Sequence, residues 1–140
     1  MKRRIKRLQA LVFLFFFMVQ FLSDTTWMTV LAETTGTLQD GDTRTITDVS
    51  AADTIFNVIS GGRLIVADGG QVEGAVNASS VGEVEIQAGG KVSGLISARE
   101  WSEITVAGTV SDLSVYGNAS VWLNSASVTN LTAHENTPSV

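Results

Sequence analysis

Three glutamates raise the first chemical question. Glu83 and Glu85 flank Val84 in VGEVEI, and Glu103 takes the equivalent place in SEITV twenty residues on from Glu83. Residues two apart on a strand face the same side, and two carboxylates about 5–10 Å apart are the minimum equipment for glycoside hydrolysis. No basic or aromatic stretch accompanies them, so they read as a solvated acidic face. Asp40-Gly41-Asp42 resembles the start of a calcium loop but lacks the further oxygen ligands at set spacing, and reads as a turn. His134 has neither a metal partner nor a nucleophile beside it in the sequence and reads as an exposed loop residue. The expectation is therefore a protein that is not an enzyme, with no catalytic residue, cofactor or metal. Trp101, Tyr116 and Trp122 are the candidate surface contacts. Trp122 sits between Val121 and Leu123 and should point outward from a strand, and exposed Trp and Tyr commonly contact sugars or proteins. The sequence favours a side loop folded over these rings, with wall contact as the alternative.

Composition limits what such residues could serve. The chain of 140 residues has room for one domain. Residues 1–32 read as a signal peptide: MKRRIKR holds five of the nine basic residues, LQALVFLFFFMVQFL is apolar apart from two Gln, and Val30-Leu31-Ala32 has the form of a cleavage site. That apolar run is shorter than the about twenty residues of a membrane span, so cleavage after Ala32 is expected rather than an uncleaved anchor. The rest, 33–140, carries four basic side chains against thirteen acidic ones. Such a surface repels phosphate backbones, which argues against a nucleic-acid partner. Cysteine is absent, so a secreted chain must be held by its core alone.

The elements that would position these groups come from a repeat. Leu64-x-Val66, Val84-x-Ile86, Ile104-x-Val106 and Val121-x-Leu123 each put two core residues around one exposed position, the period of a strand. Short connectors rich in Gly, Asp, Asn and Ser follow, and then VEGA (72–75), VSGL (92–95), VSDL (110–113) and VTNL (128–131). The third position of that column is Gly74, Gly94, Asp112 and Asn130, types that enter left-handed backbone most readily. The spacing predicts a corner there, with the Val before it and the Ala or Leu after it both facing inward. Helix is excluded by the Gly, Ser, Thr and Val content and by the missing three-and-four periodicity. A β-sandwich has no reason to repeat one corner type in every unit, whereas a solenoid does. The expected fold is all-β, a parallel β-helix or β-solenoid of about four coils of 17–20 residues.

The flanks are less regular. Residues 33–60 keep a strand-like composition but lose the register, and read as an N-terminal cap or imperfect first coil before the repeats of 61–140. Ile55-Phe56-Asn57 would be its last side. Counting nine on from Leu131 places Val140 where another coil would begin. The expectation is either a longer solenoid or an open C-terminal coil edge able to self-associate.

Gly61-Gly62, Gly69-Gly70 and Gly89-Gly90, in ISGGRLIVADGGQVEGAVN and VEIQAGGKVSGLIS, resemble the passenger repeats of AIDA-like autotransporter adhesins, in which paired glycines precede each strand of a β-helix. That resemblance implies export, action at a bacterial surface and a host surface protein or glycan as partner. From Gly108 onward the pairs are gone, and a complete autotransporter, which ends in a membrane barrel, is not expected. GGKVSGLISA (89–98) is also similar to bactofilins, which implies an alternative role as a filament-forming structural protein.

Overall fold

A computed structural model describes residues 35–50 and 52–135. The expected signal peptide, the expected cleavage after Ala32 and the position of Val140 lie outside the described residues. Among the described residues twelve strands, numbered in chain order, form two parallel stacks. One holds β1 (Thr35–Leu38), β3 (Ile55–Val58), β6 (Val76–Ala78), β8 (Lys91–Ala98), β10 (Thr109–Tyr116) and β12 (Ser127–His134), with β5 (Gln71–Val72) also paired to β8. The other holds β2 (Thr43–Ile46), β4 (Arg63–Val66), β7 (Glu83–Ile86), β9 (Glu103–Val106) and β11 (Ser120–Leu123). The protein is a parallel β-solenoid of about five turns, and the described residues contain no helix.

Alternation builds the core. Leu64 and Val66, Val84 and Ile86, and Ile104 and Val106 all face inward and are buried, while the residues between them face out. Phe56, Val58, Val76, Ala78, Ile96, Ala98 and Leu113 close the opposite wall, and Val72, Val92 and Val110 fill a third side. Each coil thus contributes a few aliphatic side chains to one continuous column, which only stacking can keep dry.

The paired glycines carry two different duties. Gly61, Gly69 and Gly89 are left-handed, at φ of 80°, 80° and 84°. Their partners Gly62, Gly70 and Gly90 have ordinary backbone but no room, since a Cβ there would overlap the carbonyl oxygens of Leu38, Ile46 and Val66 in the coil above. The first glycine of each pair turns the chain and the second lets successive coils touch.

Four expectations are corrected. The turns number about five, not four, because residues 35–46 do not lose the register: β1 and β2 pair with β3 and β4 at the same twenty-residue offset, Thr35 with Ile55 and Thr43 with Arg63. Gly74, Gly94, Asp112 and Asn130 are not left-handed corners. Gly74 and Gly94 are instead pressed against the carbonyls of Thr54 and Gly74, while Asn130 Nδ2 donates to Asp112 Oδ1 at 2.8 Å in a ladder between coils.

Without a corner, the strand parity runs straight through Gly94. Ile96 is fully buried and Leu95 is 44% exposed, the reverse of the expected inward Leu. Only in the following coil does the spacing of three hold, where Val110 and Leu113 are both buried and the pairing of β10 with β8 slips between Val110 and Asp112. The fourth correction concerns His134, which ends β12 rather than lying in a loop.

The repeat shortens on the way down. Ala107 and Gly108 replace a four-residue connector such as Ala67 to Gly70, so Lys91 pairs with Thr109 at an offset of eighteen. After the slip in β10 the offset is seventeen, Glu103 pairing with Ser120. This change of pitch falls where the aromatic residues cluster.

Candidate functional site

Among the described residues five four-residue turns link the first sheet to the second. They are closed by N–H to C=O bonds from Asp42 to Gln39 (2.9 Å), Gly62 to Ile59 (2.8 Å), Gly82 to Ser79 (3.0 Å), Ser102 to Arg99 (3.2 Å) and Ala119 to Tyr116 (3.3 Å). In the first three, both central residues are left-handed, the signature of a type I′ turn: Asp40-Gly41, Ser60-Gly61 and Ser80-Val81. In the last two only the first central residue is left-handed, Glu100 at φ 53° and Gly117 at φ 60°, the φ signature of type II′. The second central position then returns to ordinary backbone. It can carry a bulky side chain without strain, and it carries Trp101 and Asn118.

Val81 shows the alternative, a β-branched residue held at φ 60°. Left-handed backbone costs such a residue about 1–2 kcal/mol. Glu100 takes the strain in the next coil, and its carboxylate accepts a hydrogen bond from the Ser80 hydroxyl at 2.5 Å. That bond ties the strained turn to the coil above.

Beside these turns three side chains stack across three coils. The Arg99 guanidinium lies 4.6 Å from the Tyr116 ring centroid, and its Nε donates to Ser97 Oγ at 3.4 Å. On the other side of Tyr116 the His134 ring is stacked at 4.2 Å and 1°. Tyr116 pairs with His134 in register, and Ala98 with Val115, so the stack follows from the coil lengths of seventeen and eighteen. Arg99, Glu100, Trp101, Tyr116, Gly117 and Asn118 line an open groove of about 490 Å³. Trp101 is 69% exposed at its rim, so no side loop covers it, contrary to the reading the sequence favours. Tyr116 is half-buried by its two stacking partners.

Trp122 is also uncovered, 58% exposed on β11, where it pairs with Thr105 rather than joining the groove. The structure brings Trp101 and Tyr116 together and leaves Trp122 apart. The sequence reads His134 as an exposed loop residue and assigns Arg99 no role. Their signal is spacing: Arg99, Tyr116 and His134 are one coil length apart.

The glutamate wall is more occupied than the sequence suggested. Arg63 Nη2 donates to Glu85 Oε2 at 2.6 Å, and Arg63 Nε lies 3.7 Å from Glu83 Oε2. Gln87 Nε2 donates to the other oxygen of Glu85 at 3.1 Å. Those bonds, first from Gln87 and then from Arg63, hold the Glu85 carboxyl below its ordinary value, against a small opposing effect of burial. A carboxylate so engaged is a poor proton donor. Arg63, Glu83, Val84, Glu85, Glu103 and Thr105 line a shallow depression of about 180 Å³. At Asp40-Gly41-Asp42 the chain makes one of the five turns, with Asp42 Oδ2 accepting from Gln39 N at 3.3 Å. Among the described residues no group of three or more His, Cys, Asp or Glu side chains is placed to hold a metal.

The fold and groove define a parallel β-solenoid with an aromatic cleft in its lower turns. No protein-family model, curated protein or solved structure matches the chain.

Proposed function

We propose that the protein is an exported, non-enzymatic β-solenoid, an adhesin-like or passenger-like segment whose stiff side wall binds a saccharide in the groove between the fourth and fifth coils. One observation carries this reading: Trp101 is held open to solvent beside Tyr116, which is itself fixed between Arg99 and His134. Rigid aromatic faces bind the C–H faces of sugars with little loss of conformational freedom. A volume of about 490 Å³ is within the range of small-ligand sites. The basic and apolar start of the sequence supports export, and the engagement of Glu85 by Arg63 and Gln87 supports a role without catalysis.

A second reading, end-to-end assembly like that of filament-forming bactofilins, is favoured by the lowest described coil. Among the described residues nothing pairs with the outer sides of β11 and β12, and Leu123 and Leu131 are 45% and 54% exposed there. Unpaired strand edges with apolar side chains are templates for another chain. Secretion assays of the full chain, followed by sedimentation and a glycan-binding screen of the purified protein, separate the two. Export with saccharide binding by a monomer supports the first reading; a retained, polymerising protein without glycan binding overturns it.

A further inference from the structure

The charge arrangement of the groove carries the saccharide reading further. Residues 33–140 hold only four basic side chains, and Arg63 spends its charge on Glu83 and Glu85. Arg99 makes no ion pair among the described residues, although Glu100 is its neighbour. The Glu100 carboxylate is turned to the Ser80 hydroxyl. The Tyr116 ring lies under the guanidinium carbon at 4.6 Å, and Ser97 Oγ accepts from its Nε. The arginine is thereby oriented with its terminal nitrogens left for another acceptor, on the wall of a groove whose rim is a solvent-exposed indole.

A guanidinium held in place by an aromatic ring and one nitrogen is suited to a carboxylate, which it can meet with two parallel N–H bonds. Trp101 supplies the stacking face, and the Asn118 side chain, on the same groove, offers both a donor and an acceptor for hydroxyl groups. Val81 extends the apolar rim upward. The pairs Ala78 with Ala98 and Glu83 with Glu103 place it one coil, about 4.8 Å, above Trp101. It is 56% exposed despite its left-handed backbone.

We infer that the groove selects acidic saccharides, with Arg99 reading the carboxylate of a uronic-acid unit and Trp101 stacking on its ring. The inference rests on the saccharide-binding reading above. An otherwise acidic surface makes this selectivity sharper, because an anionic sugar has few other places to bind.

The test is calorimetric titration of the full chain with a glucuronic-acid-terminated oligosaccharide and with its neutral glucose-terminated counterpart. The uronate should bind at least about tenfold more tightly, a difference of about 1.4 kcal/mol. Arg99→Gln should bring the two ligands to equal affinity, and Trp101→Ala should weaken both about tenfold or more. Raising the salt concentration should narrow the gap in the parent but not in Arg99→Gln. Unchanged circular dichroism in both variants checks that they fold. Equal binding of both ligands by the parent overturns the acidic selectivity and leaves saccharide binding standing. Binding of neither overturns both proposals, and uronate preference that survives Arg99→Gln overturns the role of Arg99.

Discussion

Tyr116 and His134 lie ring on ring, 4.2 Å between centroids and 1° from parallel, one coil apart on β10 and β12. The contact fastens the lowest described strand to the one above it. His134→Ala should cost about 0.5–1.5 kcal/mol and show as faster amide exchange along 127–134. Tyr116→Ala should cost more, because it also releases Arg99.

Ile96 and Leu95 make the core assignment testable. Ile96→Ala should lose about 2–5 kcal/mol, whereas Leu95→Ala should stay within about 0.5 kcal/mol. Chemical denaturation reads both, and comparable losses would reject the strand parity through Gly94.

The glycine pair at 61 and 62 should divide by mechanism. Gly61→Ala places a Cβ in open space on left-handed backbone, at about 1–2 kcal/mol. Gly62→Ala drives a Cβ into the Leu38 carbonyl and should cost about 3 kcal/mol by forcing two coils apart. Melting of the two variants orders them, and an equal loss would contradict the division of duties.

Much of this architecture was legible in the sequence, and the misses have physical causes. Leu64-x-Val66, Val84-x-Ile86 and Ile104-x-Val106 announce strands stacked at the coil period because burial on one face demands alternation, whereas Val121-x-Leu123 forms β11 in register but leaves Leu123 45% exposed, contrary to its expected core place. The parity of VSGL is not legible because Gly94 has no side chain to show which way it faces, so by sequence Leu95 reads as the core residue next to Val92. The first coil was obscured because Leu38 and Ile46 stand alone among exposed Thr and Arg in β1 and β2. Trp101 and Tyr116 were legible as types. Their meeting, and the part of Arg99 and His134, depended on the shortened pitch set by Ala107-Gly108 and the slip after Val110.

Glu85 sets a pH dependence. Bonds from Gln87 and Arg63 lower its folded value below the ordinary 4.5. The ionised form is therefore favoured by folding, and its stabilisation is complete above 4.5 and lost as pH falls from there through the folded value. Glu85→Gln should cost no more than about 1 kcal/mol at neutral pH, as for other largely exposed pairs. It should flatten the decline in stability below pH 4.5, read by urea unfolding at several pH values. An undiminished acid slope would assign the dependence to other carboxylates.

The most direct test of the binding wall is the indole N–H resonances of the full chain, followed by NMR while an acidic oligosaccharide is added. The Trp101 signal should move progressively with ligand, together with the amides of Arg99, Glu100, Gly117 and Asn118, while the Trp122 signal stays in place. Shifts confined to Trp122, or to the exposed strands β11 and β12, would contradict a saccharide site between the fourth and fifth coils.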